Sequence, residues 1–182
     1  MQADRFTIKS QEALAAADRL AHERRNPQVT PAHLLAALLT PASRTAGTAG
    51  AAGASADSPG GVVLPVLGKL GVQVDALRAT VQQALEQLPV IGSGSTADAG
   101  SQPSAELLAV LRAAEREASQ LSDQYVSTEH LLLALAGEDG VASRALASVG
   151  ATRERLLAAL AEVRGSHRVT DQSPEEKLEA LE

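Results

Sequence analysis

The chain has 182 residues, a net charge of −6, 45% hydrophobic and 1% aromatic residues, and no cysteine. That length suits one domain of common size, or two small units sharing a core. The acidic balance, with no basic stripe interleaved with aromatics, argues against nucleic acid and against an anionic membrane surface as partners. Without cysteine there is no disulfide framework and no thiolate chemistry, which fits a reducing, cytoplasmic setting.

No run of about 18 apolar residues occurs, and Met1-Gln2-Ala3-Asp4-Arg5 lacks the basic and then apolar layout of a signal peptide. With Phe6 and Tyr125 as the only rings, the interior has to be built from Leu, Val and Ala, and Ala and Leu favour helix. Thr7 can cap a first helix running to about Arg25, with Ala13, Leu14, Ala17, Leu20 and Ala21 at helical spacing, and Asn26-Pro27 ends it. Thr30 stands at a second N-cap, with Val29 and Leu34 placed as a hydrophobic staple and Pro31 at N1. The helix from Pro31 to Leu39 is apolar on nearly every side and should lie in the core. From Pro41 to Gly61 nearly every residue is Ala, Gly, Ser or Thr. Such residues offset little backbone entropy by burial, so the segment is expected to be a mobile inserted loop. A short third helix, Val62 to Leu70 with Pro65 in its first turn, is closed by Gly71. A fourth, Asp75 to Leu88, turns Leu77, Val81, Ala84, Leu85 and Leu88 to one face before Pro89 stops it.

Residues 89 to 103, mostly Gly, Ser, Ala and Thr, have the composition of a flexible connection. After it the plan recurs. A helix from Ala105 to Leu121 points Leu107, Leu108, Leu111, Ala114, Ala118 and Leu121 inward. A central helix follows, entered through Val126-Ser127-Thr128-Glu129-His130-Leu131-Leu132, the pattern already met as Val29-Thr30-Pro31-Ala32-His33-Leu34-Leu35. A short helix ending near Gly150 and a last one from about Arg153 to Val163 complete it. His33 and His130 are offset by 97, and the same offset carries Leu14 to Leu111, Ala17 to Ala114 and Ala21 to Ala118. Further on, Leu67 matches Leu146 and Leu77 matches Leu156 at an offset of 79, so the first copy holds 18 additional residues, in the Ala/Gly segment. A repeat of this kind is the strongest organising signal in the chain. The expected fold is all-α: two pseudo-twofold-related four-helix repeats, residues 1–88 with the inserted loop 41–61, and residues 104–165. Residues 166–182 are expected to be a polar linker ending in a nascent helix, on the way to further chain.

The chemistry-bearing residues are sparse. No GxxxxGK[ST] phosphate loop is present, since Gly47, Gly50 and Gly53 have no strand before them and no Lys-Ser or Lys-Thr after. This stretch is therefore expected neither to bind nor to hydrolyse ATP. No strand-turn-helix nucleophile elbow supports a Ser-His-Asp hydrolase. His22, His33, His130 and His167 make no local metal signature, and no cysteine completes a common zinc site. His33 and His130 fall in first helical turns beside core leucines, which favours a packing role. Glu129 at N2 suits the helix dipole, a contribution of about 0.3–1 kcal/mol.

The opening Asp4-Arg5-Phe6-Thr7, the two central-helix motifs and the tail Val163-Arg164-Gly165-Ser166 with Arg168-Val169-Thr170-Asp171-Gln172-Ser173-Pro174-Glu175 carry a resemblance. The chain resembles the N-terminal double-repeat domain of Clp AAA+ unfoldases, the ClpB-type disaggregase branch above all. It departs from the pattern in its long Ala/Gly insert and in Ala32, which stands where the second repeat has Glu129. The resemblance implies a non-enzymatic module that receives unfolded or aggregated polypeptide and passes it to an attached hexameric AAA+ ring. ATP and magnesium then belong to ATPase domains outside this segment, which takes no cofactor or metal itself. Carried over position by position, it implies substrate-binding roles for Thr7, Asp123 and Glu129, with Leu111, Tyr125 and His130 as an apolar wall. If the repeats pack as pseudo-twofold mates, Thr7, Asp123 and Glu129 should share one accessible face. The alternative within the family is an adaptor- or degron-binding N-domain of a protease-linked unfoldase, in some members a reader of phosphorylated arginine. Ala32 removes one of the two matching carboxylates that such a reader would use.

Overall fold

The computed structural model describes residues 3–40, 60–91, 101–164 and 169–170. The expected mobile insert at 41–59, residues 92–100 of the connection and most of the tail lie outside the described residues. Within them the fold is all-α. Its helices are α1 (Ile8–Glu23), α2 (Pro31–Leu38), α3 (Val63–Lys69), α4 (Val74–Glu86), α5 (Ala105–Gln120), α6 (Thr128–Gly137), α7 (Val141–Ser148) and α8 (Arg153–Arg164). Their borders fall within two residues of the sequence expectation. Two strands of two residues each, β1 (Gln28–Val29) and β2 (Gln102–Pro103), were not expected, because strands this short leave no periodicity to read.

The caps follow from the sequence. Thr7 Oγ1 accepts the Ser10 N–H at 3.3 Å to open α1, and Ser104 Oγ accepts the Leu107 N–H at 3.1 Å to open α5, at the equivalent position. Both helices also end alike, on a left-handed residue that is not glycine: Arg25 at φ 56° and Ser122 at φ 59°. The next N–H then reaches back to the helix, Asn26 to the Ala21 carbonyl and Asp123 to that of Ala118, which closes the turn. Gly71 (φ 69°) and Gly150 (φ 77°) close α3 and α7 in the same manner, as the spacing suggested.

The two repeats are interlocked rather than merely adjacent. The Thr7 N–H donates to the Val126 carbonyl (3.0 Å) and the Ser104 N–H donates to the Val29 carbonyl (2.9 Å), each repeat's first cap bonding the residue before the other's central helix. The parallel pairing of Val29 with Pro103 is matched by the parallel bridge of Phe6 with Val126. Farther out, α3 packs on α8 and α4 on α7, and Lys69 of α3 meets Glu162 of α8 at 3.0 Å. At the centre lie α2 and α6, whose Leu34, Leu35, Leu38, Leu131, Leu132, Leu133 and Leu135 are fully buried. Each such leucine contributes about 1.5–3 kcal/mol by leaving water, enough to explain why a chain almost without aromatics holds a core.

Candidate functional site

The left-handed Ser122 folds the chain back under the end of α5, so that Asp123 points toward the first turn of α6. There Ser127 is the N-cap and His130 is N3. His130 stands where a capping box has Glu or Gln: its Nδ1 accepts the Ser127 N–H at 2.9 Å and lies 3.0 Å from Ser127 Oγ. Since Nδ1 is the acceptor, the ring proton sits on Nε2, which donates to Asp123 Oδ2 at 2.9 Å. Arg164, the last residue of α8, completes the group. Its Nη2 donates to both Asp123 oxygens (2.8 and 2.6 Å), and its Nη1 lies 3.1 Å from Glu129 Oε1. The Val169 N–H adds a further bond to Asp123 Oδ1 at 2.8 Å.

The cluster is nearly dry. The side chains of Asp123 and His130 are wholly buried, Glu129 is 6% and Arg164 12% exposed. The two carboxyls respond in opposite directions. Burial works against ionisation of Asp123, but hydrogen bonds from His130, Arg164 and Val169 outweigh it and hold the carboxyl below its usual range. Burial pushes the Glu129 carboxyl up, and the single guanidinium contact counters this only in part.

The first repeat builds the same corner from neutral groups. His33 Nδ1 accepts the Thr30 N–H at 3.0 Å, and its Nε2–H meets Asn26 Oδ1 at 3.0 Å; Asn26 Nδ2 donates to the Pro89 carbonyl at 2.9 Å. At the two offsets found in the sequence, Asn26 corresponds to Asp123, Ala32 to Glu129 and Leu85 to Arg164. All three charges of the second corner are absent from the first together. Burial, then the nearby Arg24 charge, lower the His33 pKa to about 4 and keep its imidazole neutral.

The structure brings Thr7 close to the second central helix, as pseudo-twofold packing required, but it corrects the shared accessible face. Taken as whole residues rather than side chains, Thr7 is 0%, Asp123 8% and Glu129 4% exposed, because the strand exchange covers the first and the Arg164 cluster covers the others. Leu111 and His130 are buried as well, His130 as a hydrogen-bonded member of the cluster rather than an apolar wall. Tyr125 alone of the six is partly exposed. Arg164 escaped the sequence reading because a terminal arginine on an amphipathic helix looks like a solvated end; the signal was the offset that pairs it with buried Leu85. One possible ligand atom each from Asp123, Glu129 and His130 lies within 4.8 Å of the others, a grouping that could hold a cation, but the Arg164 guanidinium already supplies positive charge to both carboxylates. No helix among the described residues is long and apolar enough to cross a membrane.

Comparison with known proteins agrees with this fold. The family model for the Clp repeat (R) N-terminal domain matches residues 5–58 and 53–149. The chain is 38% identical over 176 residues to chaperone protein ClpB of Mycobacterium tuberculosis, covering 97% of this chain and 18% of that protein. It is 34% identical over 180 residues to ClpB of Rhodopirellula baltica, again covering 18% of that protein. The chain thus spans about a fifth of the length of the curated relatives it matches. Among solved structures, the Hsp104 N-terminal domain from Candida albicans superposes with TM-score 0.73 at 21% identity, covering 93% of this chain and 98% of that one. The N-terminal domain of the ClpV1 ATPase from E. coli superposes with TM-score 0.63 at 22% identity, covering 87% and 85%. A doubled helical unit, two histidine-capped central helices and a reciprocal strand exchange are accordingly features of a chain that belongs to the Clp repeat N-terminal domain family.

Proposed function

We propose that the chain is the polypeptide-recognition module of a ClpB-type disaggregase, taking up unfolded or aggregated segments and delivering them to an attached hexameric AAA+ ring. The observation that carries this reading is the match of 97% of the chain to ClpB chaperones, of which it makes up only 18%. Nucleotide and magnesium chemistry then belong to the remainder. Because Thr7, Asp123 and Glu129 are buried, they are not offered to a client: Thr7 bonds across the junction between repeats, and Asp123 and Glu129 hold the corner of the second repeat. Contact with client falls to apolar side chains flanking the Thr7–Val126 bond in sequence, Ile8 at 46% exposure and the partly exposed Tyr125. A shallow apolar rim suits weak, broad binding, since an extended client loses chain entropy on docking. The test is capture of a reduced, carboxymethylated model protein. Ile8→Ser with Tyr125→Ala should weaken capture several-fold with the fold intact by circular dichroism, and unchanged capture would reject this rim.

The second reading, an adaptor- or degron-binding N-domain, is favoured by the likeness in fold to the N-terminal domain of ClpD, a caseinolytic protease associated chaperone from Arabidopsis thaliana (TM-score 0.56). Against a two-site reader of charged marks stand Ala32 in the first repeat and the guanidinium already paired with Glu129 in the second.

A further inference from the structure

Asp123 receives hydrogen bonds from three separate parts of the fold: His130 in α6, Arg164 at the end of α8, and the backbone of Val169 beyond α8. A return bond from the Gln124 N–H to the Val169 carbonyl, at 2.9 Å, makes the last contact two-sided. Val169 is 6% exposed. Beyond α8 the chain is therefore seated by Val169 on the corner between α5 and α6. At the first corner the segment after α4 is also seated, but on neutral groups and with the opposite polarity. Asn26 gives a donor to the Pro89 carbonyl, and the Ile91 N–H donates to the Arg25 carbonyl at 2.8 Å. Among the described residues, the charged corner is the one on which the chain after the second repeat is seated.

We propose that Asp123 and Arg164 form a clasp that fixes the direction in which the chain leaves the second repeat, with Glu129 steadying the guanidinium. Only an acceptor on both oxygens can serve this corner. An asparagine there that keeps its oxygen toward His130, as Asn26 does toward His33, turns its NH2 on the Val169 N–H, donor against donor. The corner of α5 and α6 then persists while the exit segment comes away.

The triple variant Asp123→Asn, Glu129→Ala, Arg164→Leu installs the residues that the first repeat carries at the equivalent places, so the same chain already contains the neutral arrangement. Site-resolved amide hydrogen exchange on the full chain reads the clasp directly. In the wild type the Val169 and Gln124 amides should exchange at least about 100-fold more slowly than in an unstructured chain. In the triple variant they should lose at least about 10-fold of that protection, while the Asp123 and Ser127 amides, bonded to the Ala118 carbonyl and His130 Nδ1, keep theirs. Equal protection of Val169 and Gln124 in both proteins overturns the clasp. So does a wild-type Val169 amide that exchanges at the unstructured rate, a result independent of whether the variant folds.

Discussion

Asp123 and Glu129 sit a few ångströms apart, share one arginine and carry the same formal charge, yet their environments rank them very differently. Asp123 is held ionised by three donors, so Asp123→Ala leaves a buried guanidinium, an imidazole N–H and a backbone N–H without their acceptor. Breaking a buried pair in this way should cost about 3–5 kcal/mol. Glu129 is held in a place that resists its charge, and alanine already fills that place in the first repeat. Glu129→Ala should therefore cost about 1 kcal/mol or less, and urea midpoints of the two variants check the ranking. Acid stability follows the same logic. A His33 pKa lowered to about 4 means that the unfolded chain binds the proton more readily. The stabilisation is complete above the unfolded value near 6.5 and is lost as pH falls toward 4, in total about 3 kcal/mol. Asp123, also depressed, loses its contribution at still lower pH, whereas Glu129, raised, pulls in the opposite direction. A His33→Gln variant should lose the step between pH 6.5 and 4, as measured by urea titrations at several pH values.

At the level of the element, the sequence was legible wherever a local rule acts over consecutive residues. Thr7, Thr30, Gly71 and Gly150 announced caps and closures that need only a few neighbours, and the Leu and Ala stripes announced the buried faces. The corners at Arg25 and Ser122 were not announced, since neither residue type favours the left-handed region. Both side chains are exposed and the backbone there is fixed by the bond that follows, which gives a direct prediction. Arg25→Gly or Ser122→Gly relieves a cost of about 1–2 kcal/mol, offset by about 0.4–1 kcal/mol of extra freedom in the unfolded chain. Each should raise stability by about 0.5 kcal/mol, readable as a shift of the thermal midpoint.

Across the whole molecule, the doubled architecture was readable because the offsets of 97 and 79 persist through every helix. What could not be read was which surfaces meet. The candidate site shows this: Asp123, Glu129 and Arg164 come from the end of one helix, the start of another and the end of a third, and only packing brings them together. A carboxylate near a helix start looks the same in sequence whether it faces solvent or a buried arginine. The same holds for Thr7, whose role as a cap was plain but whose burial depends on the Val126 carbonyl of the other repeat.

That reciprocal exchange has a consequence for ancestry and assembly. Each unit offers the donor of its first cap and the acceptor before its central helix, so a lone unit carries both halves of one self-complementary contact. Such a contact closes under a true twofold axis, making an isologous pair with no free copy of the patch left over. Residues 101–170 produced alone should therefore be recovered as a homodimer, with Ser104 of each copy facing Val126 of the other. Light scattering would read twice the monomer mass, and Ser104→Pro, which removes the N–H, should return the fragment to a poorly folded single chain. The present protein can be understood as that dimer made permanent by joining its subunits end to end, after which the two corners were free to diverge, one toward charge and one away from it.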